Sequence, residues 1–202
     1  SVIVVTANLF YANQLADDLR NYTDQVFVYP VDEMISAEMA FSSPEARAER
    51  VATLNAVAAQ ELGIYVLPAA GVRRFVPSLA TWEQHHFHWE VGSEVDLERL
   101  PAQLLLMGYE RQEMISKPGE FSIRGSIIDI YPLDAPSPIR VELFDTEIDS
   151  LRSFDEETQR SIENVTEIWL SPTTDLVFSK ENLQRGYQTL MTQLDKRLAV
   201  TQ

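Results

Sequence analysis

Two arginines and a phenylalanine carry the clearest chemical signal in this sequence. Residues 139–144 read Ile-Arg-Val-Glu-Leu-Phe, an alternation that predicts a half-buried strand with Arg140 and Phe144 opposite the aliphatic side chains. The run 120–124 places Arg124 on the polar side of a second strand pattern in the same way. Arginine and aromatic residues are enriched at the centres of protein interfaces, so this combination suggests a docking surface rather than a catalytic pocket.

Alternation alone leaves two interpretations of these side chains open. If the strands are neighbours, Arg124, Arg140 and Phe144 form one exposed patch. Alternatively, each arginine forms an ion pair within its own domain, because acidic residues are abundant, and Phe144 belongs to a small cluster beneath a loop.

Three histidines, His85, His86 and His88, suggest a metal site. Strand spacing would put His86 and His88 on one face and His85 on the other. Two imidazoles need a further ligand, for which Glu83 and Glu90 are available. We favour a polar segment between two structural units over a metal site.

Carboxylates suggest two further kinds of site. Asp129 lies in the apolar run Ile-Ile-Asp-Ile, where a buried carboxylate needs a hydrogen-bond donor. No such donor is evident, so we predict that Asp129 faces outward at a strand bend after Gly125. The acidic residues within 142–149 and 155–157 lack the glycine and patterned oxygen ligands of a calcium loop, which favours a solvated acidic face.

Composition narrows the class of protein. The chain has 202 residues, of which 45% are apolar and 23% charged, as in a globular protein of one large domain or two small ones. It contains no cysteine, which excludes disulfides and thiolate metal sites. No apolar run is long enough to cross a bilayer and no signal peptide is evident, so we expect cytoplasmic residence and no membrane partner.

Charge and glycine content disfavour several activities. The net charge is −15, and residues 86–172 hold 18 acidic but only 7 basic residues. Such a surface repels phosphate backbones and favours a basic protein, or a basic patch on a protein, as partner. The sequence has neither G-x-x-x-x-G-K-[ST] nor G-x-G-x-x-G and no nucleophile elbow. We therefore expect no catalytic residue, metal or cofactor in this chain.

The first part of the chain alternates strand and helix patterns. Strands are predicted at 2–6, 25–29 and 63–67, the first as a central parallel strand. One helix follows an N-cap at Asn8, and another runs from Pro44 to about residue 60, with a buried stripe formed by Ala48, Val51, Leu54 and Val57. Residues 30–43 are predicted to form a loop. This order indicates an α/β layer with a parallel sheet.

From about Trp82 the pattern changes to short strands. They are predicted at 86–91, 109–116, 120–124, 126–131, 139–144, 147–154 and 164–170, with a helix over 96–107 that ends at Gly108. A last helix, capped by Ser179, would extend to about residue 198. The predicted fold class is a parallel-sheet α/β domain (1–85 with 173–202) and an inserted α+β domain of mainly antiparallel strands (86–172).

The strand region also carries a family resemblance. The segments G-E-F-S-I-R-G-S-I-I-D-I-Y-P (119–132), P-I-R-V-E-L-F (138–144) and E-I-D-S-L-R-S-F-D-E-E-T-Q-R-S (147–161) closely resemble the bacterial transcription-repair-coupling factor family (Mfd). The region resembled is that family's N-terminal UvrB-like module, namely domains 1a and 2 and part of 1b. It is itself similar to part of UvrB, the damage-verifying subunit of the excision nuclease. The resemblance is strong over 108–172 and collinear over 2–67.

The resemblance implies a fold, a function and a site. The chain would be a noncatalytic fragment of an ATP-driven translocase, with a degenerate, helicase-like first domain that lacks a phosphate loop. ATP and magnesium would bind the parent's motor, and RNA polymerase and DNA would bind its other domains. In the family, domain 2 binds UvrA, the damage-recognition ATPase. Its contact residues match Arg124, Arg140 and Phe144, and the patch would be bordered by Arg111, Glu142 and Arg152.

Two other functions remain as alternatives. A fragment of a true UvrB would verify DNA damage with ATP and would need a phosphate loop and an aromatic strand-separating hairpin. The connection over 30–43 is too short for such a hairpin. A free-standing metal-binding protein would use His86 and His88, and zinc titration would detect it.

Overall fold

A computed structural model describes residues 1–31, 43–178 and 180–200. Most of the predicted loop at 30–43 and the predicted cap Ser179 lie outside these residues. The elements are β1 (Val2–Thr6), α1 (Leu9–Arg20), β2 (Val26–Val28), α2 (Pro44–Ala58), β3 (Ile64–Pro68), α3 (Ala69–Val72), α4 (Leu79–Glu83), β4 (Phe87–Glu90), α5 (Leu100–Leu106), β5 (Glu110–Arg111), β6 (Glu120–Arg124), β7 (Ile127–Ile130), β8 (Ile139–Phe144), β9 (Glu147–Phe154), β10 (Ser161–Asn164), β11 (Glu167–Leu170) and α6 (Lys180–Val200). Each helix in these ranges is too short or too polar to span a membrane.

The first sheet is parallel, with strand order β1-β3-β2. Helix α1 packs on it, and the Asn8 side chain accepts a hydrogen bond from the Tyr11 amide, as an N-cap does. The expectation that β1 is central is wrong. β3 occupies the centre, and Val2, Ile3 and Val5 of β1 are exposed, so the apolar run does not reflect burial here.

Helix α2 begins at Pro44 as predicted, and Ser43 is its N-cap. Its buried face differs from the predicted stripe, because Val57 is exposed and Arg50 and Thr53 are buried. These two polar side chains bond the backbone carbonyls of Pro30 and Val28 at the end of β2. The helix therefore meets β2 partly through polar contacts, which apolar periodicity does not report.

The second sheet has six strands in the order β10-β9-β8-β7-β6-β5. All neighbours are antiparallel except β5 and β6, which are parallel. Helix α5 and an antiparallel ribbon of β4 and β11 complete its core. The α/β fold class with parallel and antiparallel sheets is thus confirmed, whereas the domain boundaries at 86 and 172 stay a prediction.

Several elements of this unit are shorter than predicted, and helix α5 and strand β5 differ most. Helix α5 begins at Leu100 because residues 96–99 form a turn, in which the Asp96 carboxylate accepts hydrogen bonds from two backbone amides. It ends before Gly108, whose φ of +90° is the left-handed conformation predicted for a C′ glycine. The predicted strand 109–116 is limited to Glu110–Arg111, because the buried Glu120 carboxylate binds the amides of Ser116 and Lys117 instead.

A buried ionic cluster ties the chain after β11 to the first unit. The Asp175 carboxylate is paired with Arg50 at 3.2 Å and Arg74 at 2.8 Å, and it accepts a hydrogen bond from the Tyr29 hydroxyl at 3.0 Å. Burial acts to raise the pKa of Asp175, but the two arginines outweigh it and lower that pKa below its usual range. The same burial and the neighbouring carboxylate raise the pKa of Tyr29.

Candidate protein-docking surface

The register of the six-stranded sheet decides which side chains share a face. Asp129 on β7 lies between Ser122 on β6 and Arg140 on β8, and Arg140 is opposite Arg152 on β9. Since directly opposite residues point to the same side of a sheet, these side chains lie on one face. We call this the outer face, because the alternate residues, such as Val141, point into the core.

Asp129 is the centre of the outer face. Asp129 is 2% exposed, so the prediction that it faces outward at a strand bend is wrong. The carboxylate accepts two hydrogen bonds from Arg140, from Nε at 2.7 Å and from Nη2 at 2.9 Å, and another from Arg124 Nη2. The donors that a buried carboxylate requires are thus the two arginines of the predicted patch.

Arg140 is held on several sides. Besides Asp129, its Nη2 donates to the Gln159 side chain at 3.0 Å, and its guanidinium lies 4.5 Å from the centre of the buried Phe154 ring. The hydrogen bonds to Asp129 raise the pKa of Arg140 above its ordinary value. Its side chain is 18% exposed, whereas that of Arg124 is 47% exposed. Arg140 is therefore a fixed group and Arg124 the more accessible one.

Phe144 lies at the end of β8, on the same face as Arg140 by strand alternation, and it is 79% exposed. A two-residue turn at Asp145 and Thr146 follows it, because Phe144 pairs directly with Glu147. The amide of Leu143 donates to the Ser126 carbonyl at 2.9 Å. This bond brings the hairpin turn after Arg124 next to the end of β8 that carries Phe144.

The spacing of these groups fits a single contact area. Arg140 and Phe144 are four residues apart on a strand, which is about 13 Å at 3.3 Å per residue. Arg124 is two strands from β8, or about 10 Å. A typical interface covers about 800 Å² on each partner, so one partner can cover all three side chains.

The three residues predicted to border the patch do not all lie on the same face of the sheet. Glu142 and Arg152 lie on the outer face and form an ion pair at 2.6 Å, and Ser150 donates to the same Glu142 oxygen at 2.9 Å. Arg111 is on the edge strand β5, in register with the core residue Phe121. The register therefore assigns Arg111 to the opposite face of the sheet, and the structure does not bring it together with the other five.

The two interpretations left open by alternation are both partly correct. Arg124 and Arg140 each form an ion pair within the domain, as the second interpretation expects. Both pair with the carboxylate of Asp129, so they also lie together on one face, as the first expects. We call Arg124, Arg140 and Phe144, together with Asp129, the outer patch. Two guanidiniums against one carboxylate leave it with a net charge of +1 in a chain whose net charge is −15. The role of the outer patch in binding stays a prediction.

Sequence reasoning missed Asp129, Phe154 and Gln159 as partners of the arginines. The first was detectable: a two-residue turn at Gly125 and Ser126 pairs residue 124 with 127 and places 129 on the face of Arg124. Phe154 reaches Arg140 from the end of the neighbouring strand β9 and Gln159 from the loop after it, and strand alternation alone does not indicate these contacts.

The histidines do not share a strand face, since β4 begins at Phe87. His85 and His86 each bond a backbone carbonyl of α4, at 2.7 and 2.8 Å, and His86 also contacts the Asn55 side chain. His88 bonds Glu167 instead. Within the described ranges, no three histidine or acidic side chains come together as metal ligands would.

Comparison with known proteins shows what the strand-rich part of the chain is similar to. Residues 87–176 match the family model of the UvrB interaction domain. This range includes the whole six-stranded sheet, the β4–β11 ribbon and the outer patch.

The resemblance to the transcription-repair-coupling factor family is confirmed over nearly the whole chain. The transcription-repair-coupling factor of Bacillus subtilis (strain 168) is 42% identical over 202 residues, 99% of this chain. Those of Staphylococcus aureus (strain bovine RF122 / ET3-1) and Staphylococcus haemolyticus (strain JCSC1435) are 37% and 38% identical over 96% and 95% of the chain. The chain spans only 17%, 17% and 16% of the length of these relatives.

Proposed function

We propose that this chain is a noncatalytic docking module that works in the cytoplasm as part of a transcription-repair-coupling factor. It binds the repair protein UvrA through the outer patch, and the complete protein thereby brings UvrA to a stalled RNA polymerase. The observation that carries the proposal is the convergence of Arg124, Arg140 and an exposed Phe144 on one face of a UvrB interaction domain.

The outer patch suits protein binding for physical reasons. The shared carboxylate and the Phe154 ring hold Arg140 in one orientation, so little side-chain entropy is lost when a partner docks. Arg124 and Arg140 keep N–H groups for charge-assisted hydrogen bonds to acceptors on UvrA. Phe144 supplies apolar area that a partner can bury, and the protein needs no cofactor for any of these contacts.

The proposal is tested by calorimetric titration of purified UvrA with wild-type chain and with Arg140→Ala and Phe144→Ala. Truncating an anchor at an interface centre costs about 2 kcal/mol or more, so each variant should bind at least tenfold more weakly. Phe75→Ala is the matched control, since Phe75 is a phenylalanine of the first unit that is even more exposed than Phe144. Unchanged affinity in both patch variants, with folds intact by circular dichroism, would reject the proposal.

A further inference from the structure

The β4–β11 ribbon has a face that plays no part in the outer patch. Trp89 and Ile168 are buried in the core, whereas the residues next to them along each strand are exposed. The register pairs Trp169 with His88 and Glu167 with Glu90. These four side chains therefore form one exposed face, which we call the ribbon face.

An indole ring dominates the ribbon face. Trp169 is 62% exposed. One side of its ring stacks on His88, with 4.0 Å between ring centres and 18° between planes, and the His88 Nε2 lies 2.6 Å from a Glu167 oxygen. The stack fixes the orientation of the indole and leaves its other side open to solvent. The π-face of an indole attracts cations more strongly than that of any other side chain.

The two carboxylates of the ribbon face lie where their repulsion lowers the stability of the fold. Glu90 and Glu167 are directly opposite each other on antiparallel strands, where like charges are destabilising. Among the described residues, no lysine or arginine side chain pairs with either carboxylate. A cation bound close to both carboxylates would relieve this repulsion.

We propose that the ribbon face is a second docking site, which takes an arginine or lysine side chain from a basic segment of a partner protein. The cation lies against the open side of Trp169, with Glu90 and Glu167 as its counter-charges. Charge complementarity decides the class of partner, since a nucleic acid or an acidic segment would be repelled. The site differs from the outer patch in location and in sign of charge.

Tryptophan fluorescence provides a direct test with the whole chain. Trp82 and Trp89 are buried, so Trp169 is the accessible indole of the three. Titration with a tetra-arginine peptide should change the Trp169 emission in a saturable manner, and a tetra-citrulline peptide of the same shape should not. Trp169→Phe should abolish the signal.

Charge variants distinguish specific binding of tetra-arginine at the ribbon face from general attraction of the peptide to an acidic protein. Glu90→Gln with Glu167→Gln should raise the Kd for tetra-arginine at least tenfold without lowering thermal stability. Asp18→Asn with Glu98→Gln removes the same charge from exposed positions elsewhere and should change the Kd less than twofold. Equal weakening in both double variants, or the absence of a saturable signal, would overturn the proposal.

Discussion

Replacing Asp129 with asparagine is the most informative perturbation of the outer patch. The change keeps the shape of the side chain but removes the charge that Arg124 and Arg140 share. Arg140 is mostly buried, so it cannot turn to solvent without losing its contacts with Phe154 and Gln159. Two guanidiniums would then face each other with no anion between them.

The expected loss of stability follows from the contacts. A hydrogen bond to a charged group contributes about 1.5–3 kcal/mol, and asparagine can keep one acceptor for Arg140, so about 2 kcal/mol is lost there. The bond to the half-exposed Arg124 is screened by solvent and contributes about 0.5 kcal/mol. Repulsion between the cations brings the total to about 3 kcal/mol. For a chain of this size, that lowers Tm by about 9 °C.

Urea and thermal unfolding followed by circular dichroism would measure the effect. Asp149→Asn is the matched control, because Asp149 is an exposed carboxylate on β9 of the same sheet, and it should change the free energy of unfolding by less than about 0.5 kcal/mol. A loss below about 1 kcal/mol for Asp129→Asn, or one equal to that of the control, would refute the view that Asp129 organises the patch.

Three further predictions concern the stability of the fold. Because the folded-state pKa of Asp175 is lowered, its charge stabilises the protein above pH about 4 and ceases to do so at lower pH. The stability difference between wild type and Asp175→Asn should therefore shrink in urea titrations from pH 5 to pH 2, and a constant difference would contradict this. Gly108→Ala should cost about 2 kcal/mol, because φ is +90° and the new Cβ would lie 2.6 Å from Thr174 Cγ2. Gly186→Ala on α6 meets nothing within 4 Å and should increase helix content, gaining about 1 kcal/mol; equal effects at both glycines would be inconsistent with the structure. Phe144→Ala should change the free energy of unfolding by less than about 0.5 kcal/mol, so a larger loss would mean that its ring is packed.

Strand alternation predicted which face of β8 carries Arg140 and Phe144, because one face of this strand is buried and the other is not. Ile139, Val141 and Leu143 lie in the core, and Arg140 and Phe144 are on the opposite side. The cap at Asn8 and the left-handed Gly108 were predictable for a similar reason, since each depends on local backbone geometry.

The predictions that proved wrong concern residues and strands whose positions depend on how separate elements of the fold pack together. Asp129 is buried because Arg124 and Arg140, on the two flanking strands, supply its donors, and this depends on how the strands pair. Val57 lies on the same side of α2 as Arg50 and Thr53, which bond the end of β2, but it is one turn further along and exposed, and apolar periodicity does not show where that contact ends. The edge position of β1 depends on the order of strands in the sheet, which an apolar run such as 2–6 does not determine.

Site-specific photocrosslinking to purified UvrA tests the central claim most directly. A benzophenone-bearing phenylalanine analogue would be placed at position 144 and, in a separate sample, at position 75, where the natural phenylalanine is at least as exposed. We expect a crosslink to UvrA from position 144, lost when Arg124 and Arg140 are both changed to alanine, and none from position 75. Equal crosslinking from the two positions, or crosslinking from position 75 alone, would contradict it.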